Sequence, residues 1–151
     1  MNLPLIMAYI GLGVMLALSC LGSTIGVSVG GNATIGAMKK NPNIFGSSML
    51  LCAIPSTQGL YGFAGFFLLL FKLNEMELLS LGQALAVCAA CVALGVVGLY
   101  SAIKQASMVA NGVNEMANGN DVFGKTLILV VFPELYAILA FASVFLAWSL
   151  L

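Results

Sequence analysis

Ten charged residues in 151 leave this chain divided into four apolar stretches, and that division dictates what it can fold into. The first runs from about Leu3 to Met38 and stops at Lys39-Lys40-Asn41-Pro42-Asn43. The second, about Phe45 to Phe71, stops at Lys72-Leu73-Asn74-Glu75-Met76-Glu77. The third runs from Leu78 to about Asn111, with a polar segment from Asn114 to Asp121 after it, and the fourth from Phe123 to Leu151. Each exceeds the roughly 20 residues that cross a bilayer core. The third, at about 1.5 Å per residue, would reach about 50 Å and protrude into water.

Composition agrees. Hydrophobic residues make up 62% and charged residues 7%, against about a quarter charged in a soluble domain, where they wet the surface. The fold class expected is therefore all-α and integral to the membrane. Net charge is zero, with no Arg and no His, so nothing points to nucleic acid or a polyanionic partner. Without His or an acidic cluster there is no transition-metal site, and metalloenzyme chemistry is excluded.

Cysteines carry little further information. Cys20, Cys52, Cys88 and Cys91 all fall inside apolar runs. Cys88-Ala89-Ala90-Cys91 has redox-motif spacing, but its hydrophobic flanks offer nothing to stabilise a thiolate. Small packing residues are the better reading. Met1 to Ser19 resembles a signal peptide only in hydrophobicity. No Lys or Arg precedes its apolar stretch, so it is expected to stay as a helix, with a lipid-modified Cys20 the alternative.

Lysines give the orientation. Lys39, Lys40 and Lys125 flank the first and third loops, against Lys72 alone at the second. The positive-inside bias puts those two loops in the cytoplasm and both termini outside.

The two halves repeat. Ile44-Phe45-Gly46 matches Val122-Phe123-Gly124 at an offset of 78 residues, which also lays Pro55 on Pro133 and Phe63 on Phe141. This register predicts one helical hairpin duplicated and fused, with residues 1–75 as the first hairpin and 76–151 as the second. Small residues recur every fourth position on the first span (Gly22, Gly26, Gly30) and on the third (Gly98, Ala102, Ala106, Ala110). That spacing lets helix backbones approach closely in lipid. One such stripe per hairpin suits a crowded inner wall shared by many copies.

Glu134 is the candidate functional residue. It lies eleven residues past Phe123, about 16 Å into the span. A charge there costs about 3 kcal/mol on insertion scales, so an intramembrane acid is a functional candidate by default. A protonated Glu that only ties helices together is the alternative. On the second span Ile54, Thr57, Gln58 and Tyr61 stand at i, i+3, i+4 and i+7 and share a face. Gln58 and Gln105 reach a depth similar to that of Glu134, about 13–20 Å from the same side. Carboxylate, amide oxygens and hydroxyl are hard oxygen donors, suited to a small alkali cation. Pro55 and Pro133 lack an N–H, so the carbonyls of Leu51 and Leu129 should lose their helical partners. Freed carbonyls are tolerated in a membrane where they line a site.

These residues resemble the double-hairpin proteolipid of V-type and related A-type rotary ATPases, called subunit K. The resemblance is carried by Pro55-Ser56-Thr57-Gln58-Gly59-Leu60-Tyr61-Gly62-Phe63, by Phe132-Pro133-Glu134-Leu135-Tyr136-Ala137 and by Ser101-Ala102-Ile103-Lys104-Gln105. It implies a homo-oligomeric ring turning against a stator membrane subunit, driven by ATP hydrolysis in a separate catalytic head. The chain itself would be no enzyme. It also implies an ion site for Na⁺, or H⁺ in its place, made of Thr57, Gln58, the carbonyl of Ile54, Gln105 and Glu134. Tyr61 would hydrogen-bond the carboxylate and hold the site shut. The loops Lys39–Asn43 and Asn114–Asp121 are the natural contact for a central stalk, and the compartment implied is a prokaryotic plasma membrane.

Lys104 departs from the family pattern. It directly precedes Gln105, where a small neutral residue is expected. It points about 100° away around the helix, to snorkel or to face a neighbouring copy. Were it to reach Glu134, the pair would weaken cation binding. Two other classes stay open on the residues alone. A small antiporter also needs one membrane Glu but no duplicated hairpin, and a structural four-span protein needs no Glu134.

Overall fold

The computed structural model describes residues 3–151, and every regular element among them is helical. Helix α1 (Leu3–Met38) forms the first span and α4 (Leu81–Ala117) the third; α5 (Phe123–Ser149) is the fourth. The second span is broken into α2 (Phe45–Ala53) and α3 (Thr57–Glu75) by a 3₁₀ turn at Ile54–Ser56. All four spans are long and apolar enough to cross a membrane, at 36, 34, 37 and 27 residues. Met1 and Asn2, where the expected N-terminal helix was to begin, lie outside the described residues.

Local chemistry explains the ends. Asn41 caps the turn Pro42–Ile44 by accepting from the Asn43 N–H at 3.1 Å. Ser80 and Gln83 form a reciprocal capping box that starts α4. The third span therefore begins three residues later than the apolar pattern suggested. It ends six residues later, because Asn114 and Glu115 continue the helix into the polar segment. Gly119 then reverses the chain at φ +91°, a conformation a side chain would resist.

The arrangement is two antiparallel hairpins side by side. α1 and α4 pack along most of their length, α2 and α3 lie on α1, α5 lies on α4, and α3 touches α5 more sparingly. Small residues set the closest approach. A methyl added at Gly22 would stand 2.6 Å from the Leu99 Cα and 3.1 Å from the Gly98 carbonyl, and one at Gly26 would stand 3.2 Å from the Ala102 carbonyl. The two small-residue stripes thus face each other inside a single chain.

Two apolar clusters fill the bundle. One gathers Leu12, Met15, Leu69, Leu94 and Val144. The other, nearer the lysine loops, gathers Leu51, Val109, Val113 and Val130. Between them lies a polar layer containing Gln58 and Gln105, both wholly buried. Phe63, Phe67, Phe71, Ile128, Phe132 and Leu139 point outward, as expected where lipid or further copies replace water.

The repeat is visible but imperfect. Lys40 Nζ donates to Asn118 Oδ1 at 3.3 Å, joining two loop positions 78 residues apart. Pro55 packs onto Gly26, where an added methyl would stand 2.5 Å from its Cβ. It tightens the chain into the 3₁₀ turn, and the Leu51 carbonyl recovers a partner in the Ile54 N–H. Leu51 is thus not left free as its proline implied. Lys104 replaces Gly26 in the second hairpin, and there α5 runs through Pro133 unbroken.

Candidate functional site

Four side chains on two elements converge on one carboxylate carried by a third. Glu134 lies one residue past Pro133 on α5 and is partly exposed at the edge of the bundle. Its Oε2 accepts from Thr57 Oγ1 at 2.8 Å, Gln58 Nε2 at 3.0 Å and Gln105 Nε2 at 2.9 Å. Its Oε1 accepts from the Tyr61 hydroxyl at 2.5 Å. Hydrogen bonds to an ionised acceptor are the short, strong ones. The i, i+3, i+4, i+7 face of the second span survives the 3₁₀ turn, which keeps Thr57, Gln58 and Tyr61 turned toward α5.

The amides are fully used. Gln58 donates one hydrogen to Glu134 and the other to Gln105 Oε1 at 3.1 Å. Gln105 donates one to Glu134 and the other to the Val130 carbonyl at 2.8 Å. Both glutamines are wholly buried, where an unpaired amide would cost about 1–3 kcal/mol. The network therefore fixes its own geometry.

Thr57 is the exception in this accounting. Its hydroxyl has one hydrogen, yet three oxygens lie within reach: Glu134 Oε2 at 2.8 Å, the Ile54 carbonyl at 2.9 Å and Gln58 Oε1 at 3.3 Å. Gathered around one hydroxyl, these oxygens are the hard donors that a small cation takes as ligands. Turning the Gln58 and Gln105 amides end for end would present further oxygens. The donor set therefore fits a small alkali ion.

Every residue proposed from the sequence is in this cluster: Glu134, Gln105, Gln58, Thr57, Tyr61 and, through its carbonyl, Ile54. Three contributors escaped the sequence reading. The Val130 carbonyl, rather than that of Leu129, receives Gln105. Phe141 stacks on Tyr61 with ring centroids 5.8 Å apart, holding the phenol over the carboxylate. Ser23 on α1 accepts from the Gly59 N–H at 2.7 Å, which pins α3 beside Gln58. In the sequence Ser23 shows only as a hydroxyl beside the Gly22 stripe, and Phe141 only as the repeat partner of Phe63.

Lys104 does not reach the carboxylate. Its Nζ lies over the Tyr100 ring, 5.0 Å from the centroid. All four hydrogen bonds to Glu134 come instead from hydroxyls and amides.

Comparison with known proteins adds the family. Residues 10–69, and again 88–147, match the family described as the C subunit of ATP synthase. From 10 to 88 and from 69 to 147 the shift is 78 residues, the offset of the sequence repeat. Subunit K of an A-type ATP synthase from Methanocaldococcus jannaschii is 37% identical over 135 residues, 89% of this chain. The chain spans 58% of that relative's length. Subunit K of a V-type sodium ATPase from Enterococcus hirae is 32% identical over 145 residues, which are 96% of this chain and 92% of that protein. With two copies of the family's hairpin fused into four membrane-spanning helices, this chain belongs to the family of the ATP synthase C subunit.

Proposed function

We propose that this chain is the ion-carrying subunit of a V/A-type rotor ring and that it carries Na⁺, with H⁺ the alternative. The single observation behind this reading is the Thr57 hydroxyl, with three oxygen neighbours and one hydrogen, beside the Glu134 carboxylate. A proton alone would need only Glu134 and Tyr61. A cation would use the oxygens of Ile54, Thr57, Gln58 and Gln105 as well. The sodium ATPase named among the relatives points the same way. Nothing in the comparisons supports an antiporter.

In this reading residues 1–75 are a hairpin without an ion carboxylate and 76–151 the hairpin that supplies Glu134. An ionised Glu134 facing lipid is costly. A bound ion neutralises it and lets that copy pass through the bilayer. A positive group on the stator subunit stabilises the bare carboxylate and favours release. Tyr61 closes the site while the copy travels. The chain catalyses nothing itself; ATP is hydrolysed in the separate head. Both termini lie outside a prokaryotic plasma membrane, and the loops at Lys39–Asn43 and Asn114–Asp121 meet the central stalk.

Labelling distinguishes the two ions. A carbodiimide modifies only the protonated acid, so Na⁺ held at Glu134 excludes the proton and slows the reaction. Added Na⁺ should protect Glu134 near neutral pH while K⁺ at equal ionic strength does not. Equal labelling in the two salts would assign the site to protons.

A further inference from the structure

The two hairpins meet through one pair of stripes, and the repeat creates a second pair that this chain cannot close. Within the chain Gly22, Gly26 and Gly30 of α1 lie against α4 from Gly98 to Val109. Displaced by the 78-residue repeat, those three glycines become Tyr100, Lys104 and Met108 on α4. The facing positions Gly98 and Ala102 become Cys20 and Thr24 on α1, and Ala106, one turn further along α4, becomes Ser28. All six of the displaced residues are exposed.

Their surroundings are complementary. Tyr100, Lys104 and Met108 form one wall of a groove of about 570 Å³, closed on the other side by Phe132, Pro133 and Tyr136 of α5. Apart from the lysine and Ser101 its lining is largely apolar, and Lys104 lies ten residues, roughly 15 Å, before the polar segment that begins at Asn114, an expensive depth for a charge facing lipid. On α1 the stripe Cys20, Thr24, Ser28 is polar and lies at matching depth. Thr24 Oγ1 already donates to the Cys20 carbonyl at 2.8 Å, so the lone pairs of that oxygen are left to accept. An ammonium has three donors and no acceptor; a stripe of hydroxyls and sulfur supplies what it lacks.

We propose that the groove beside Lys104 is filled by the first span of a second copy, whose Thr24 and Ser28 hydroxyls accept from the Lys104 ammonium. This rests on the ring reading above and adds what that reading does not contain: the face used, the register and the polar contact that fixes it. The register follows from the intrachain contact. A methyl at Gly26 would stand 3.2 Å from the Ala102 carbonyl, which places Lys104 beside Thr24 of the next copy. The second contact is looser than the first, because a lysine stands where the glycine admitted Pro55. The long side chain fills the added space and carries a donor to the partner.

Disulfide trapping tests the register. In a chain with its native cysteines replaced by Ser or Ala, Lys104→Cys is combined with Thr24→Cys, with Ser28→Cys or with Val29→Cys. Val29 is also exposed but is turned about 100° around the helix from Ser28. Mild oxidation should give a ladder of linked dimers, trimers and larger species with Thr24→Cys or Ser28→Cys, and none with Val29→Cys. In the otherwise native chain, Lys104→Met and Thr24→Val should each lower the temperature at which the detergent-solubilised assembly dissociates. Combined they should lower it no further than the larger single effect, since both remove one contact. The size of the native assembly tests the ring by itself. Assemblies of full size with no ladder at Thr24 or Ser28, with an equal ladder at Val29, or with additive effects of the two substitutions would overturn the proposal and leave Lys104 against lipid.

Discussion

Thr57 and Glu134, 77 residues apart and on different hairpins, share a hydrogen bond of 2.8 Å. Neither hairpin therefore holds the site alone. The carboxylate comes from the second, its hydroxyl partners Thr57 and Tyr61 from the first, and Gln58 and Gln105 join the two through a bond of 3.1 Å. Fusion of the hairpins in one chain keeps these unlike halves in equal number and fixed order.

Glu134→Gln should abolish ATP-driven transport while leaving assembly intact. Gln preserves shape and volume and can still accept from Tyr61, but it removes the charge that an ion neutralises. Transport into vesicles should fall to the level of vesicles lacking the complex, with the size of the solubilised ring unchanged. Wild-type transport by this variant would remove Glu134 from the mechanism.

Tyr61→Phe should loosen the site without dismantling it. The ring stays stacked on Phe141, but the 2.5 Å bond to the carboxylate is lost. A hydrogen bond to a charged group contributes about 1.5–3 kcal/mol, so ion affinity should drop by about ten- to a hundredfold. Isotopic Na⁺ exchange measures it, and the off-rate should carry most of the change. Thr57→Val should lower affinity to a similar degree, with less effect on exchange, because it removes a ligand rather than the cover.

Packing offers an independent test. At Gly26 a methyl would stand 2.5 Å from Pro55, and at Gly22 it would stand 2.6 Å from a backbone atom. Gly22→Ala and Gly26→Ala should each destabilise the bundle by about 1–3 kcal/mol, the usual cost of overpacking. Gly36→Ala and Gly46→Ala, where nothing lies within 4 Å of the new methyl, should leave stability unchanged or slightly improved. Thermal dissociation in detergent ranks the four.

The legible and illegible parts of this molecule divide along physical lines. Glu134 was legible because one acid among Val130, Val131, Phe132 and Leu135 has no cheap explanation. Span ends were legible at Met38, where two lysines and a proline follow, and not at Ala117. There Asn111, Asn114 and Glu115 look like a loop by polarity but remain good enough helix formers once outside the bilayer. The Val130 carbonyl was invisible, since a backbone acceptor leaves no mark on the sequence. The pairing of the small-residue stripes was invisible for a different reason: the spacing shows that a helix can be approached closely, not by which helix.

One ion per four helices is the last expectation, and it follows from Ser56. The 78-residue repeat sets Ser56 opposite Glu134, and no Asp or Glu lies between Phe45 and Phe71. The Ser56 hydroxyl is exposed and donates to the Ala53 carbonyl at 2.6 Å, so the first hairpin has neither a charge to neutralise nor a free donor set. A ring built from these chains carries half as many ions as one in which every hairpin bears an acid. Each ATP is then divided among fewer ions. Moving one charge against 100 mV costs about 2.3 kcal/mol, so fewer ions per turn allow each to be driven up a steeper gradient. Such a ring leans toward pumping rather than synthesis. Equilibrium binding of isotopic Na⁺ to the purified ring should saturate at one ion per chain. Saturation at two, or an ion located beside Ser56, would overturn the stoichiometry and the gearing argument with it.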